Sequence, residues 1–168
     1  NEKIVIVAAD KPIEDKSSNA INNFNNAVDC IISDDITFPV VSYNGIFKAD
    51  CVCSIGASEE LFSIESNLPP VDNRVINDKN ILIINPYVQI NFDNYNFDRV
   101  DGVLFTMYHS ATVDENTAKL CTQLKEKGIE YHFVTHRSHA DYETSSNIDN
   151  IIFNCTLENA YARMLLTN

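Results

Sequence analysis

Apolar residues along this chain fall into short β-branched runs separated by stripes at helical spacing, an alternation that predicts an α/β protein. Residues 3–9 (KIVIVAA) read as a central strand, stopped by Asp10, Lys11 and Pro12. Ser17 and Ser18 are N-cap candidates for a helix whose apolar face is Ile21, Phe24, Val28 and Ile31. Asn22, Asn23, Asn25 and Asn26 fall mostly on its other face. Residues 38–43 (FPVVSY) predict a second strand, Asn44-Gly45 a hairpin turn, and residues 46–53 a returning third strand. A short helical turn is expected within 59–64. The pattern then fails over 67–80, where Pro69, Pro70 and a run of turn formers predict a linker between residues 1–66 and 81–168.

Beyond it the alternation resumes, with strands expected at 81–84, 102–106, 131–135 and 150–153. Helices are expected near 92–97, 114–127 and 156–166, the last with Leu157, Ala160, Tyr161, Met164 and Leu165 as an apolar stripe. Such a succession predicts a small parallel sheet with right-handed crossovers. Between the strand at 102–106 and the helix after it lies a polar loop, Tyr108, His109, Ser110, Ala111 and Thr112. A loop beyond a strand's carboxyl end and before a helix amino-terminus is where open α/β sheets bind ligands, anions in particular. A plain connection is the alternative.

Charge and cysteine content narrow the functions. A net charge of −12 argues against nucleic acid and anionic membranes, whose phosphates it repels. Five cysteines, with no CxxC pair, fit a reducing compartment, with Cys30, Cys121 and Cys155 acting as small hydrophobes. No apolar run approaches the roughly 20 residues of a membrane helix. The first residue is Asn and leads straight into a strand, so a portion of a longer product is expected. Four glycines are too few for a phosphate loop, and no nucleotide fingerprint is present.

Other chemistry reads as structural. His132, His136 and His139 with Asp141 raise a metal site, but His132 lies within a strand, and Arg137 opposes a cation. His109 and Ser110 are adjacent and lack a third catalytic partner. Cys51 and Cys53, two apart on the expected strand, point the same way and read as packing. Glu65, Asp72 and Asp78 read as solvated surface. No metal or cofactor is expected.

Several stretches, in order along the chain, resemble the bacterial L-asparaginase family, closest to its cytoplasmic type. Residues 17–28 (SSNAINNFNNAV) are similar to the family's Ser-Ala-Asp-Gly-Pro-x-Asn-Leu-x-Asn-Ala-Val helix start. Residues 5–12 (VIVAADKP) are similar to the strand before it, which ends Gly-Ala-Met-Arg-Pro. Residues 43–45 (YNG), then Phe62 and residues 67–71 (NLPPV), resemble the Phe-Asn-Gly hairpin and the Phe-x-Ser-Pro-Asn-x-Pro-Pro segment. Residues 102–113 stand where the family has its Gly-x-Gly-Asn-x-Pro loop, and residues 158–165 (ENAYARML) resemble its closing Glu-Ala-Ala-x-x-Lys-Leu helix.

The resemblance implies an α/β fold of two parts: a parallel-sheet, three-layer remnant of the asparaginase N-terminal domain, and a small flavodoxin-like C-terminal domain. It implies hydrolysis of L-asparagine to aspartate and ammonia by a threonine nucleophile with a second Thr-Asp-Lys group, in a cytoplasmic homodimer. This chain departs from that chemistry. Neither Thr-Gly-Gly-Thr nor Gly-Thr-Asp-Thr occurs in it. By the family's spacing the catalytic lysine falls on Cys53, and a thiol cannot supply an ammonium's charge. The loop asparagine falls on Ala111, and Ala9, beside Asp10, takes a backbone-contact position. The chain alone is therefore expected not to deamidate asparagine. The alternative is a non-catalytic protein that binds asparagine or aspartate, through Tyr108 to Thr112, or that pairs with a complete subunit. Kinship with the asparaginase-like subunit of transfer-RNA amidotransferases is opposed by the acidic charge.

Overall fold

The structure is a computed structural model, and it describes residues 2–33, 39–54, 61–63, 68, 76–140 and 148–166. The chain divides into two compact units, Asn1–Ser66 and Asn67–Asn168.

The first unit opens with strand β1 (Val5–Val7), helix α1 (Ala20–Ile32) and strands β2 (Val40–Ser42) and β3 (Ile46–Lys48). β1 pairs in parallel with β2, which pairs antiparallel with β3 around the Asn44-Gly45 turn. Asn44 takes a left-handed φ of 49°, which asparagine tolerates. Among the described residues β1 ends the sheet order β1-β2-β3, where the sequence led to a central strand. The expected strand over 46–53 is broken: Ala49–Cys51 forms a single 3₁₀ turn. β4 (Val52–Ser54) then starts a separate ladder with β5 (Leu61–Ser63). Where a helical turn was expected near 59–64, residues 61–63 are thus extended. The break also removes the basis for aligning Cys51 and Cys53, since Cys51 belongs to the turn and Cys53 to β4.

α1 forms where its periodicity predicts, and the face it buries is not its apolar stripe. Asn23, Ala27 and Cys30 are buried, whereas Ile21, Phe24, Val28 and Ile31 are exposed. Each of the last three follows a buried residue by one position, which turns the apolar stripe about 100° from the seam that meets the sheet. Small side chains at 27 and 30 let the helix sit close on β1 and β2, and Asn23 finds hydrogen bonds there that an apolar residue could not make. The N-cap position is Asn19, without a side-chain cap bond; Ser18 Oγ instead accepts from Ala20 N–H at 3.1 Å.

The second unit is a four-stranded, all-parallel sheet in the order β6 (Ile81–Ile84), β7 (Gly102–Thr106), β8 (Glu130–Val134), β9 (Ile151–Ile152). Helices α2 (Glu115–Glu126) and α3 (Leu157–Leu166) follow β7 and β9. Two apolar clusters surround the sheet. Val103, Phe105, Tyr131 and Phe133 pack with Leu120 and Leu124 of α2, the Phe105 and Phe133 rings stacked with centroids 5.0 Å apart. Leu104 and Val134 pack with Ala160 and Met164 of α3. Strand residues of alternating parity thus serve opposite layers, as the continuous apolar runs require. At Gly102 a Cβ would stand 2.8 Å from Met164 Cε, the far end of a flexible side chain that would have to move aside.

No helix forms at 92–97. That stretch is a turn-rich connection in which Asn91 Oδ1 accepts from Asp93 N–H and Asn96 Oδ1 from Asp98 N–H, each at 2.8 Å. Such side-chain turns compete with helix formation, and the rings of Phe92, Tyr95 and Phe97 pack on one another instead. The molecule is an α/β protein with a parallel sheet covered on both faces by helices. None of its helices, among the described residues, is long and apolar enough to cross a membrane.

Candidate functional site

In the first unit, Ala9 and Asp10 lie in the turn beyond the carboxyl end of β1, facing the amino end of α1. Asp10 N–H donates to Asn19 Oδ1 at 3.0 Å, and Asn19 N–H donates to Asp10 Oδ1 at 3.2 Å. Asn19 Nδ2 donates onward to Asn44 Oδ1 at 2.9 Å, reaching the β2–β3 hairpin. One turn along α1, buried Asn23 donates to the Ala8 carbonyl at 2.8 Å and accepts from Asn44 N–H at 2.9 Å. Ser42 Oγ donates to the Asn23 carbonyl at 2.7 Å. Two asparagine amides thereby bind three chain segments into one polar nest, with donor and acceptor of each amide engaged. Asp10's carboxylate is committed to holding the turn. Ala9 is exposed and makes no hydrogen bond among the described residues, which leaves its backbone available to a ligand.

Sequence reasoning named Ala9 and Asp10 but passed over Asn19, Asn23 and Asn44. The available signal was the spacing of Asn19 and Asn23, four apart at a helix start, directly after a strand.

In the second unit, residues 108–112 join β7 to α2 as a closed turn. Ala111 N–H donates to the Tyr108 carbonyl at 2.8 Å, and Tyr108 N–H to the Thr112 carbonyl at 3.0 Å. Ser110 Oγ and Thr112 Oγ1 are 2.8 Å apart, and His109 is exposed. Ala111 is fully buried with φ 56°, a left-handed conformation that alanine adopts only at a cost. A methyl held inside the turn cannot reach outward as a longer polar side chain could. The Tyr108 hydroxyl is buried and has no hydrogen-bond partner among the described residues. Burial, and then the charge of Asp114, push that phenol's pKa up, so it stays a neutral donor.

Asp114 is the N-cap of α2. Its Oδ1 accepts from Thr117 N–H at 2.9 Å and from Thr117 Oγ1 at 2.6 Å. The helix's positive end is therefore already matched by a carboxylate, which weakens its pull on a second anion. Anion binding here would depend on neutral donors such as Tyr108, Ser110 and Thr112.

The remaining chemistry is dispersed. His132 points to the sheet face opposite Tyr131 and Phe133, its Nε2 3.0 Å from Glu130 Oε1. His136 and His139 are exposed, and Asp141 lies outside the described residues. Among the described residues, no three His, Cys, Asp or Glu side chains gather where a metal ion could be held. Cys30, Cys51, Cys121 and Cys155 are buried thiols. Burial pushes Cys121 up to about 12 despite the charge of Lys125, which keeps it an inert thiol.

No protein-family model matches the chain, and no curated protein matches it. Among solved structures, it is similar to a probable cytoplasmic L-asparaginase from Campylobacter jejuni, with a TM-score of 0.65 and 14% sequence identity. The match covers 98% of this chain and 65% of that one, so the chain spans about two thirds of the neighbour's length. At that identity the likeness is one of fold, and the architecture is an L-asparaginase-like α/β fold.

Proposed function

We propose that this chain is an L-asparaginase-type scaffold that binds a small amino acid, asparagine or aspartate, and does not hydrolyse it by itself. The observation that carries the reading is the fold likeness over 98% of the chain, taken together with the motifs quoted from its sequence. Amide hydrolysis of this type needs a nucleophile activated by a neighbouring base or cation. The threonine-bearing motifs that supply it in the family do not occur here, and Cys53 stands at the lysine position. A neutral thiol neither stabilises developing negative charge as an ammonium does nor relays a proton from threonine. What the chain retains is polar recognition: the Ala9 backbone beside the asparagine nest, and the Tyr108, Ser110 and Thr112 hydroxyls.

The test has two arms on the purified chain. A coupled ammonia assay with L-asparagine should stay at the blank rate, with Cys53→Lys equally silent because the nucleophile is still lacking. Asparagine-dependent ammonia release by the unmodified chain overturns the non-catalytic part. Calorimetry with aspartate, asparagine and glutamate should give heat with at least one, reduced by Tyr108→Phe. No heat with any of the three overturns the binding part.

A further inference from the structure

The tip of the β2–β3 hairpin carries a dipeptide open to chemistry on itself. The chain has four glycines, and only Gly45 follows an asparagine. Without a Cβ, Gly45 lets its own backbone nitrogen approach the side chain of the residue before it. Asn44 is exposed, and its Nδ2 makes no hydrogen bond among the described residues. The Gly45 N–H has no partner among them either, although the Gly45 carbonyl accepts from Tyr43 N–H at 3.0 Å. The side-chain oxygen, by contrast, is held: Asn19 Nδ2 donates to Asn44 Oδ1 at 2.9 Å. Nucleophile and leaving group are thus unencumbered, and a donor already sits on the oxygen where negative charge gathers when the carbonyl is attacked.

We propose that Asn44 is a self-modification site, at which the folded chain deamidates to aspartate and isoaspartate. The Gly45 nitrogen attacks Asn44 Cγ, forming a C–N bond and closing a five-membered imide. The Cγ–Nδ2 bond breaks, and Nδ2 leaves as ammonia with the proton of Gly45 N–H, relayed by water. Water then opens the imide. Cleavage at Cγ gives aspartate, and cleavage at the Asn44 main-chain carbonyl gives isoaspartate; nothing is oxidised or reduced. Attack within one chain gains from proximity. The order of the tip opposes it, since Asn44 N–H donates to Asn23 Oδ1 at 2.9 Å and the Asn44–Gly45 peptide must turn before the ring can close. Residues 43–45 form a short loop beyond the Ser42–Ile46 pair, and such a tip opens locally without unfolding its sheet. The fold therefore slows the step without stopping it. Asp101-Gly102 is open to the same ring closure by sequence and closed to it by structure. Gly102 is buried within β7, paired with Ile81 and Glu130, and Asp101 Oδ2 accepts from Asn80 N–H at 2.8 Å. Isoaspartate at position 44 adds a methylene to the main chain of the loop, which loosens the ties from the hairpin to Asn19 and Asn23. The proposal is independent of the amino-acid-binding reading, because this ammonia is one per chain and needs no added asparagine.

Incubation of the whole chain in mildly alkaline buffer, folded and unfolded in guanidinium chloride, tests it, with peptide mapping by mass spectrometry and an isoaspartyl methyltransferase assay. Residue 44 of the folded chain should exchange its side-chain nitrogen for oxygen at a rate within about tenfold of the unfolded chain. Both aspartate and isoaspartate should appear, with one equivalent of ammonia. Asp101 should isomerise in guanidinium chloride only. Gly45→Ala should slow the folded chain's conversion by about tenfold or more. Asn44→Gln, which cannot close a five-membered ring, should abolish it. A residue 44 that keeps its amide in the folded chain while the unfolded chain converts overturns the proposal, because the fold then protects it. So does conversion to aspartate alone, which would mean direct hydrolysis without the imide. Ammonia released equally fast from Asn44→Gln also overturns it, by placing the source elsewhere.

Discussion

At the scale of single residues, Asn23 does the most for the first unit. Its buried amide closes two part-buried hydrogen bonds, to the Ala8 carbonyl and from Asn44 N–H. Asn23→Leu removes both partners and overfills the site, leaving the Ala8 carbonyl and the Asn44 N–H, each in a part-buried bond, without one. Such a group costs about 1–3 kcal/mol when fully buried, and less where water can reach it as here. The substitution should therefore lower the urea midpoint of the first unit's transition, followed by fluorescence of a probe attached there, by a loss on the order of 1–3 kcal/mol. Asn23→Asp should fall between, since it keeps the acceptor and loses the donor. Periodicity could not reveal this residue. An asparagine among asparagines reads as solvent-facing, and only the backbone groups brought to it from β1 and the hairpin make burial favourable. Ala111 was equally hidden, because its left-handed φ of 56° leaves no trace in an alanine.

Elements were legible where the chain's local preference and its tertiary surroundings agree. Residues 102–106 are apolar because both faces of β7 are covered, and β7 lies there. α2 was marked by acidic residues at its start, its apolar spacing and Gly128 beyond its end, where φ is 70°. The sites of failure have local causes. Asparagine-centred turns displaced a helix at 92–97, and a 3₁₀ turn divided what alternation alone reads as one strand. The α1 stripe was found at the right residues, but spacing marks an apolar face without saying what, if anything, covers it. The start of α2 offers a direct check. Asp114 Oδ1 holds both Thr117 N–H and Thr117 Oγ1, and Thr117 is buried. Asp114→Ala should destabilise the second unit by about 0.5–2 kcal/mol in urea titration. Asp114→Asn, an equally good cap, should lose a few tenths. The same replacement lifts the negative charge that opposes an anion near residues 108–112, so aspartate should bind Asp114→Asn more tightly than the unmodified chain.

At the scale of the whole molecule, apolar burial is unevenly shared. Both apolar clusters of the described residues lie in the second unit, one on each face of its parallel sheet. The first unit buries Ala27, Cys30, Val40 and Cys51 alongside polar Asn23 and Ser42, while Ile4, Ile6, Ile21, Phe24 and Ile31 stay exposed. Small and polar buried residues contribute little hydrophobic free energy, at about 25 cal/mol per Å² of apolar surface. The backbone entropy cost of ordering each residue is the same in either unit. The second unit should therefore fold by itself and the first should not. A fragment of residues 67–168 should melt in one cooperative transition, with an enthalpy near 60–80 kcal/mol for its length. It should show dispersed amide resonances for β6, β7 and β8, and slow hydrogen exchange at Leu104 and Phe105. A fragment of residues 1–66 should show a shallow, non-cooperative melt and fast exchange across α1 at low concentration. If the 67–168 fragment melted as broadly as the 1–66 fragment, the two-cluster core would not be what stabilises the chain.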